Sequence, residues 1–147
     1  MAERVIVKQD RLFRTTFMAA DPEDISLDNF ETVEDIHQLT PYGMLLSSLA
    51  SCTALVLHTY AQNHEIALDE VEMHMFYQRV FRDDCEDCDD EQKYNEEIDQ
   101  KILLSGDIGA ADRLKLLQVA HYCPIHKIIK GGVNVKTSLM EATLSDD

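Results

Sequence analysis

Two thiols stand where side-chain chemistry is possible. Cys52 lies within Ala50-Ser51-Cys52-Thr53, and Cys123 lies within His121-Tyr122-Cys123-Pro124, each flanked by small or helix-ending residues. A second pair, Cys85-Glu-Asp-Cys88, sits in the most acidic part of the chain. The thiolate is both the nucleophile and the metal ligand. In a reducing compartment, cysteines are more often buried, metal-bound or catalytic than structural disulfides. The N-terminus, Met-Ala-Glu-Arg-Val, lacks a basic region followed by an apolar run, so the expectation is a cytoplasmic protein without a signal peptide.

The elements that must position these thiols are organised around one stretch, Ile36 to His64, which contains no Asp, Glu, Lys or Arg. Thr40 can cap and Pro41 can occupy the first helical position, so a helix is expected to start there. Leu45, Leu49, Cys52 and Val56 recur at helical spacing, and Leu46, Ala50, Thr53 and Leu57 follow on the adjoining stripe. Apolar or small residues then cover most of the circumference, which predicts a helix buried on nearly all sides. Ser47, Ser48, Ser51, Thr53, His58 and Thr59 interrupt the run, short of the roughly 20 apolar residues of a membrane span.

Before that helix, Arg4 to Lys8 and Arg11 to Met18 alternate as strands, and Gln9-Asp10 predicts the tight connection of an antiparallel hairpin. Asp21-Pro22-Glu23-Asp24 reads as a turn, Ile25 to Leu27 as a short strand, and Asp28 to Leu39 as loop. After it, Glu70 to Phe81 places Val71, Met73, Met75 and Tyr77 on one side, a strand with one wet face. Glu96 to Ser105 resumes a strand with Ile98, Ile102 and Leu104 pointing alike, so the two form a long hairpin with an acidic insertion at about residues 82–97. Asp107 to Cys123 reads as a second helix with an apolar stripe of Leu114, Leu117, Ala120 and His121, ended by Pro124. A short further turn runs to Ile129, Gly131-Gly132 breaks it, and Val133 to Leu139 alternates as a last strand. This order predicts a single α+β domain over residues 1–147, with two helices packed on a largely antiparallel sheet.

The formal charge of −15 is uneven: Asp83 to Asp99 holds ten carboxylates against one lysine, so that segment carries −9 and the other 130 residues carry −6. No basic stripe exists to replace phosphate counterions, which argues against nucleic-acid binding. A lone C-x-x-C is half of a four-thiolate zinc site, and its acidic neighbours raise thiol pKa. Cys85 and Cys88 therefore read as a solvated hairpin tip, with a dimer-shared zinc or a reversible local disulfide as the alternatives. His58, His74 and His121 read as packed or surface histidines.

Thr40-Pro41-Tyr42-Gly43-Met44-Leu45-Leu46-Ser47-Ser48-Leu49-Ala50-Ser51-Cys52-Thr53 resembles the first-cysteine helix of the OsmC/Ohr family of thiol-dependent peroxide-reducing proteins. Cys123-Pro124-Ile125-His126 with Val133-Asn134-Val135 is similar to the family's second-cysteine motif and closing strand, and the order of elements agrees from about Arg4 to Leu144. The resemblance implies an OsmC-like fold, an intertwined homodimer with sites at the subunit interface, and a hydroperoxide substrate reduced without a cofactor or metal. Carried over, Cys52 is the peroxidatic thiolate and Cys123 the resolving thiol, recycled by a dithiol or protein thiol reductant. A thiolate attacks a peroxide oxygen, becomes a sulfenic acid and is trapped as a disulfide by a nearby thiol. Such a thiolate needs a cation or aligned N–H groups, and Arg11 and Arg14 are the nearest candidates. The family usually places a glutamate nine or ten residues before the first cysteine, and those positions are Gly43 and Tyr42 here. Tyr42 can hydrogen-bond in its place, and His126 stands three residues beyond Cys123. The alternative is a non-catalytic or redox-sensing relative with poorly activated thiols.

Overall fold

The computed structural model describes residues 2–21, 23–81 and 94–141. Five strands, β1 (Ala2–Asp10), β2 (Thr15–Ala20), β3 (Phe30–Thr32), β4 (Ala67–Phe81) and β5 (Tyr94–Asp107), form one antiparallel sheet in the order β3-β2-β1-β4-β5. Three helices, α1 (Pro41–Asn63), α2 (Ala110–Val119) and α3 (Pro124–Gly131), complete the α+β architecture. The tip of the acidic insertion, with Cys85 and Cys88, lies outside the described residues.

The α1 helix starts as its sequence predicts. The Thr40 hydroxyl accepts the Gly43 N–H at 3.0 Å, and Pro41 takes the first position, where its missing N–H costs nothing. Its buried stripe is Leu46, Ala50, Thr53, Ala54, Leu57 and Ala61, seated on Val5 and Val7 of β1 and Val71, Met73 and Met75 of β4. By length and composition α1 could cross a membrane, but half of its most apolar stretch is buried inside this protein. The expected burial on nearly all sides does not hold within one chain: Met44, Leu45, Ser48, Leu55 and Thr59 are exposed, because the sheet covers one face and α2 and α3 only part of the other.

The β1–β2 hairpin forms, but its connection is residues 11–14 rather than Gln9-Asp10. Asp10 sets it: its carboxylate accepts the backbone N–H groups of Leu12 and Arg14, an Asx-type turn that leaves Gln9 paired with Thr15. Ile25 to Leu27 is turn instead of strand, since Asp24 accepts from Ser26 N–H and hydroxyl, and the third strand falls at Phe30–Thr32 in the expected loop. In β4, Val71, Met73, Met75 and Tyr77 are buried as the alternation predicts.

The second helix is shorter and differently phased than expected. It begins after Gly109, and Leu116, Val119, Ala120 and Cys123 face the core while Leu114 and Leu117 stand in water. A 3-10 turn, Ala120–Tyr122, follows, and Cys123 then adopts extended geometry before Pro124 opens α3. Gly132, at φ 79°, ends α3 as the glycine pair predicts. Val133 to Leu139 is not a strand: within the described residues it pairs with no neighbour, and Val135 is 76% exposed. Its sequence alternates, but a strand exists only with a ladder partner.

Candidate thiol site

The middle of α1 carries Cys52, half-buried, to the point where α2 gives way to α3, and there it meets Cys123, which is fully buried. The two residues are far apart in sequence, and the helical phase that buries Leu116 and Val119 is also the phase that turns Cys123 inward. The two thiols are close enough to act on one another's titration, and the backbone N–H of Ile125 acts on Cys52 as well. That N–H is free to do so. Ile125 is the second residue of α3, where no intrahelical acceptor exists, and Pro124 before it has no N–H to compete.

Burial raises the Cys52 thiol above its ordinary value, the hydrogen bond with Cys123 and the charge on that sulfur push the same way, and the Ile125 N–H pulls it down. The net direction is up. Among the described residues, no guanidinium is one of these influences.

Arg11 and Arg14 are placed elsewhere. Both belong to the β1–β2 turn, where Arg14 Nε donates to Asp10 Oδ2 at 2.7 Å and Arg11 pairs with Asp69. Gln62 Nε2 donates to the Arg11 carbonyl at 2.9 Å, which fixes that turn at the C-terminal end of α1. Ten helical residues separate Gln62 from Cys52, or about 15 Å along the axis. The structure thus brings Cys52 and Cys123 together and does not bring either arginine to them within one chain.

Farther along α1, and lined by neither thiol, a cavity of about 550 Å³ opens between α1, the β4–β5 hairpin and α3. Leu45, Leu49, Ile98 and Ile129 give it apolar walls, and Tyr42, Tyr77, Glu96 and His126 give it polar ones. Leu45 and Leu49 are on the same helical stripe as Cys52, so this wall leads along α1 toward the sulfur. At the far end, Tyr42 stacks on Tyr77 with centroids 4.6 Å apart, Tyr77 donates to Glu96 Oε1 at 2.8 Å, and Arg79 reaches both Glu96 Oε1 (3.5 Å) and the Tyr42 hydroxyl (3.4 Å). Burial, followed by the Glu96 carboxylate, pushes Tyr77 up to about 12, so it stays a hydrogen-bond donor at neutral pH. Tyr42 accepts from Arg79 at this end of the cavity, which neither thiol lines. Arg79, Tyr77 and Glu96 escaped sequence reasoning, although the alternation that buries Met73 and Met75 also turns Tyr77 inward.

A further cavity of about 490 Å³ lies on the other side of His121, His126 and Lys130, and Cys123 helps to line it. His58 is buried as a packed histidine, its Nε2 bonded to the Gln9 carbonyl at 2.9 Å, while His74 pairs with Glu72 on the sheet surface and His121 is exposed. Among the described residues no three His, Cys, Asp or Glu side chains converge as metal ligands.

No curated protein matches this sequence. Its fold is similar to the crystal structure of an OsmC-like hydroperoxide resistance protein from Jannaschia sp. CCS1, with a TM-score of 0.59 at 12% identity over 98% of this chain and 96% of that one. The organic hydroperoxide resistance protein OhrB of Bacillus subtilis is a second similar structure, at 17% identity over 91% of this chain and 94% of the other, with a TM-score of 0.46. The family model described as OsmC-like protein matches residues 34–138, a span that holds α1, both arms of the long hairpin and both thiols. The chain belongs to the OsmC-like protein family.

Proposed function

We propose that this protein is a thiol-dependent peroxidase that reduces organic hydroperoxides or hydrogen peroxide through a disulfide cycle between Cys52 and Cys123. The observation that carries the reading is the meeting of these two thiols, which are remote in sequence yet close enough to act on one another, with Cys52 packed against the core cluster that holds Cys123. Cys52 takes the attacking role because it is the more accessible of the pair and receives the Ile125 N–H, a donor that stabilises a thiolate more than a thiol. Its thiolate attacks the hydroperoxide, the O–O bond breaks, and the departing alkoxide takes a proton to leave as an alcohol. The resulting sulfenic acid condenses with the Cys123 thiol, water leaves, and a disulfide remains. A dithiol reductant returns both sulfurs to the reduced state and is itself oxidised to a disulfide.

The fold supports the same reading, since the Jannaschia chain of similar architecture is an OsmC-like hydroperoxide resistance protein. In this proposal the protein is cytoplasmic and homodimeric, with a second copy covering the exposed face of α1 and pairing with Val133 to Leu139. An activating role for Arg11 or Arg14 requires the hairpin turn of that second copy.

The upward push on Cys52 favours a second reading, a redox-sensing relative whose thiol reacts slowly. Two measurements separate them. In the presence of dithiothreitol, the wild type is expected to consume cumene hydroperoxide while Cys52→Ser does not, and equal consumption by both would remove the peroxidase. A Cys52 that turns over slowly yet forms the disulfide under mild oxidation would leave the sensor.

A further inference from the structure

The disulfide of the proposed cycle has to be reduced again, and the surroundings of Cys123 bear on what reduces it. In a chain of net charge −15, the stretch from Arg113 to Met140 contains Arg113, Lys115, Lys127, Lys130 and Lys136 and no Asp or Glu. Its middle folds around the cavity of about 490 Å³ lined by His121, Tyr122, Cys123, His126, Lys127 and Lys130. Every ionisable side chain on that wall other than the thiol and the phenol is cationic or becomes so on protonation. The neighbouring cavity differs in kind, with Leu45, Leu49, Ile98 and Ile129 among its walls and Glu96 at one end. The two share only His121, His126 and Lys130.

The geometry points to separate entrances for oxidant and reductant: the cavity that Cys123 helps to line is a binding site for a small anionic thiol, which attacks the Cys52–Cys123 disulfide at the Cys123 sulfur, buried in the reduced chain and reached from this side once the disulfide forms. This inference rests on the disulfide cycle proposed above. Lys127 and Lys130 hold the anionic group of the incoming thiol, and a neutral His126 accepts its S–H proton. Burial, His121 and Lys130 all hold His126 below the usual histidine range, which keeps that lone pair available. The thiolate forms a new S–S bond to Cys123, the Cys52–Cys123 bond breaks, and the electron pair leaves on Cys52. Cys52 is the leaving sulfur because Cys123 is the half of the disulfide that lines this cavity, and the Ile125 N–H offsets part of the charge that forms on Cys52. A second thiol, its proton passing through solvent to the Cys52 thiolate, then attacks the reductant's sulfur in the mixed disulfide, releasing the oxidised reductant and the Cys123 thiolate, which His126 reprotonates.

The test starts from protein oxidised with diamide in a Cys85→Ser/Cys88→Ser background, so that no peroxide is involved. Reduction is followed with mercaptopropionate, mercaptoethanol and cysteamine as anionic, neutral and cationic thiols, each rate expressed per thiolate, and the mixed disulfide is trapped by acid and mapped by mass spectrometry. The expected result is a rate for mercaptopropionate about tenfold or more above that for cysteamine at low salt, shrinking as salt rises, with the adduct on Cys123. Lys127→Glu/Lys130→Glu should reverse the order of the charged thiols, each rate taken relative to mercaptoethanol on the same variant, and Lys127→Gln, which leaves the Lys130 charge beside His126 in place, should give an intermediate ratio without a charge reversal. Equal rates for the charged thiols, a ratio indifferent to these substitutions, or an adduct on Cys52 would overturn the site. Peroxide turnover with dithiothreitol is read separately, so a peroxidase that lacks this preference refutes only the reductant site. Failure of diamide to join Cys52 to Cys123 refutes both.

Discussion

Replacing Gly106 with alanine should damage the protein out of proportion to one methyl group. Gly106 lies near the end of β5 opposite Leu68, beside the irregularity between Leu68 and Glu70, with φ at 142°. A Cβ there would stand 2.1 Å from the Ala67 carbonyl oxygen and 3.1 Å from the Asp69 nitrogen, both backbone atoms of the neighbouring strand. Holding a non-glycine residue in that region costs about 1–3 kcal/mol. Pushing Ala67 away disturbs a ladder hydrogen bond, for about 1 kcal/mol more. The total is about 2–4 kcal/mol, and at about 2–4 °C per kcal/mol the melting midpoint should fall by about 5–15 °C. Gly109 is the control. It caps α2 at φ −71°, and a Cβ there meets nothing within 4 Å, so Gly109→Ala should stay within about 1 kcal/mol of wild type. The chain has no tryptophan, so urea unfolding is best followed by far-ultraviolet circular dichroism. The functional stake is register, since the irregularity beside Gly106 shifts the pairing from Leu68–Gly106 to Glu70–Ser105, and that second register sets Arg79 opposite Glu96 and Tyr77 opposite Ile98 at the cavity. A Gly106→Ala protein within about 0.5 kcal/mol of wild type, at unchanged denaturant slope, would refute the packing argument.

Cys123→Ser should lower the Cys52 titration, because it takes away the sulfur whose hydrogen bond and charge push that thiol up after burial has done so; thiolate absorbance against pH reads this, and an unchanged or higher midpoint contradicts the contact. In the wild type, reaction of Cys52 with iodoacetamide should go on rising with pH beyond the range of an unburied thiol, since a raised pKa delays the thiolate; a plateau at ordinary thiol pH would show that the site is activated instead. Leu46→Ala, at a fully buried core position, should cost about 2–5 kcal/mol in urea unfolding, and a loss below about 1 kcal/mol would mean that α1 does not seat as described. Leu55→Asp leaves the single chain's core intact and should convert a dimer to monomer in sedimentation; a wild type that sediments as a monomer at high concentration sinks the proposed assembly.

What the sequence disclosed follows how local the cause is. The start of α1 is written in Thr40-Pro41, because a cap and a proline act within one turn, and the alternation of Val71, Met73, Met75 and Tyr77 reports one buried sheet face directly. The hairpin connection falls after Asp10 rather than at it because the deciding interaction is Asp10 folding back on Leu12 and Arg14, a side-chain choice with no periodic signature. The phase of α2 is ambiguous in Leu114-Lys-Leu-Leu, where three leucines offer competing stripes. The stripe that wins, Leu116, Val119, Ala120 and Cys123, is the one that continues into the contact with Cys52, which no local window reveals. Arg11 is legible as a cation but not as the partner of Asp69, which lies on another strand. The larger cavity draws on elements distant in sequence, and nothing local marks Glu96 or Lys130 as part of its wall.

Two features left incomplete in the single chain bear on one another. The exposed stripe of α1, with Met44, Leu45 and Leu55, is apolar surface on the same helix that carries Cys52, and the extended tail from Val133 to Leu139 presents alternating apolar residues with no ladder partner among the described residues. Either alone is an ordinary surface imperfection. Together they put a buried-type face and an alternating segment without a ladder partner among the described residues on one short chain, and a single twofold contact with another copy can satisfy both. Such a contact would also dry the surroundings of Cys52, and drying strengthens burial's upward push on the thiol. In the proposed dimer the site would depend more on the Ile125 N–H, and on any cation that the second copy supplies, than the single chain does. Dissociating the dimer with Leu55→Asp should then lower the Cys52 titration even as it exposes the sulfur, and a midpoint that rises on dissociation would show that the partner brings positive charge to the thiol.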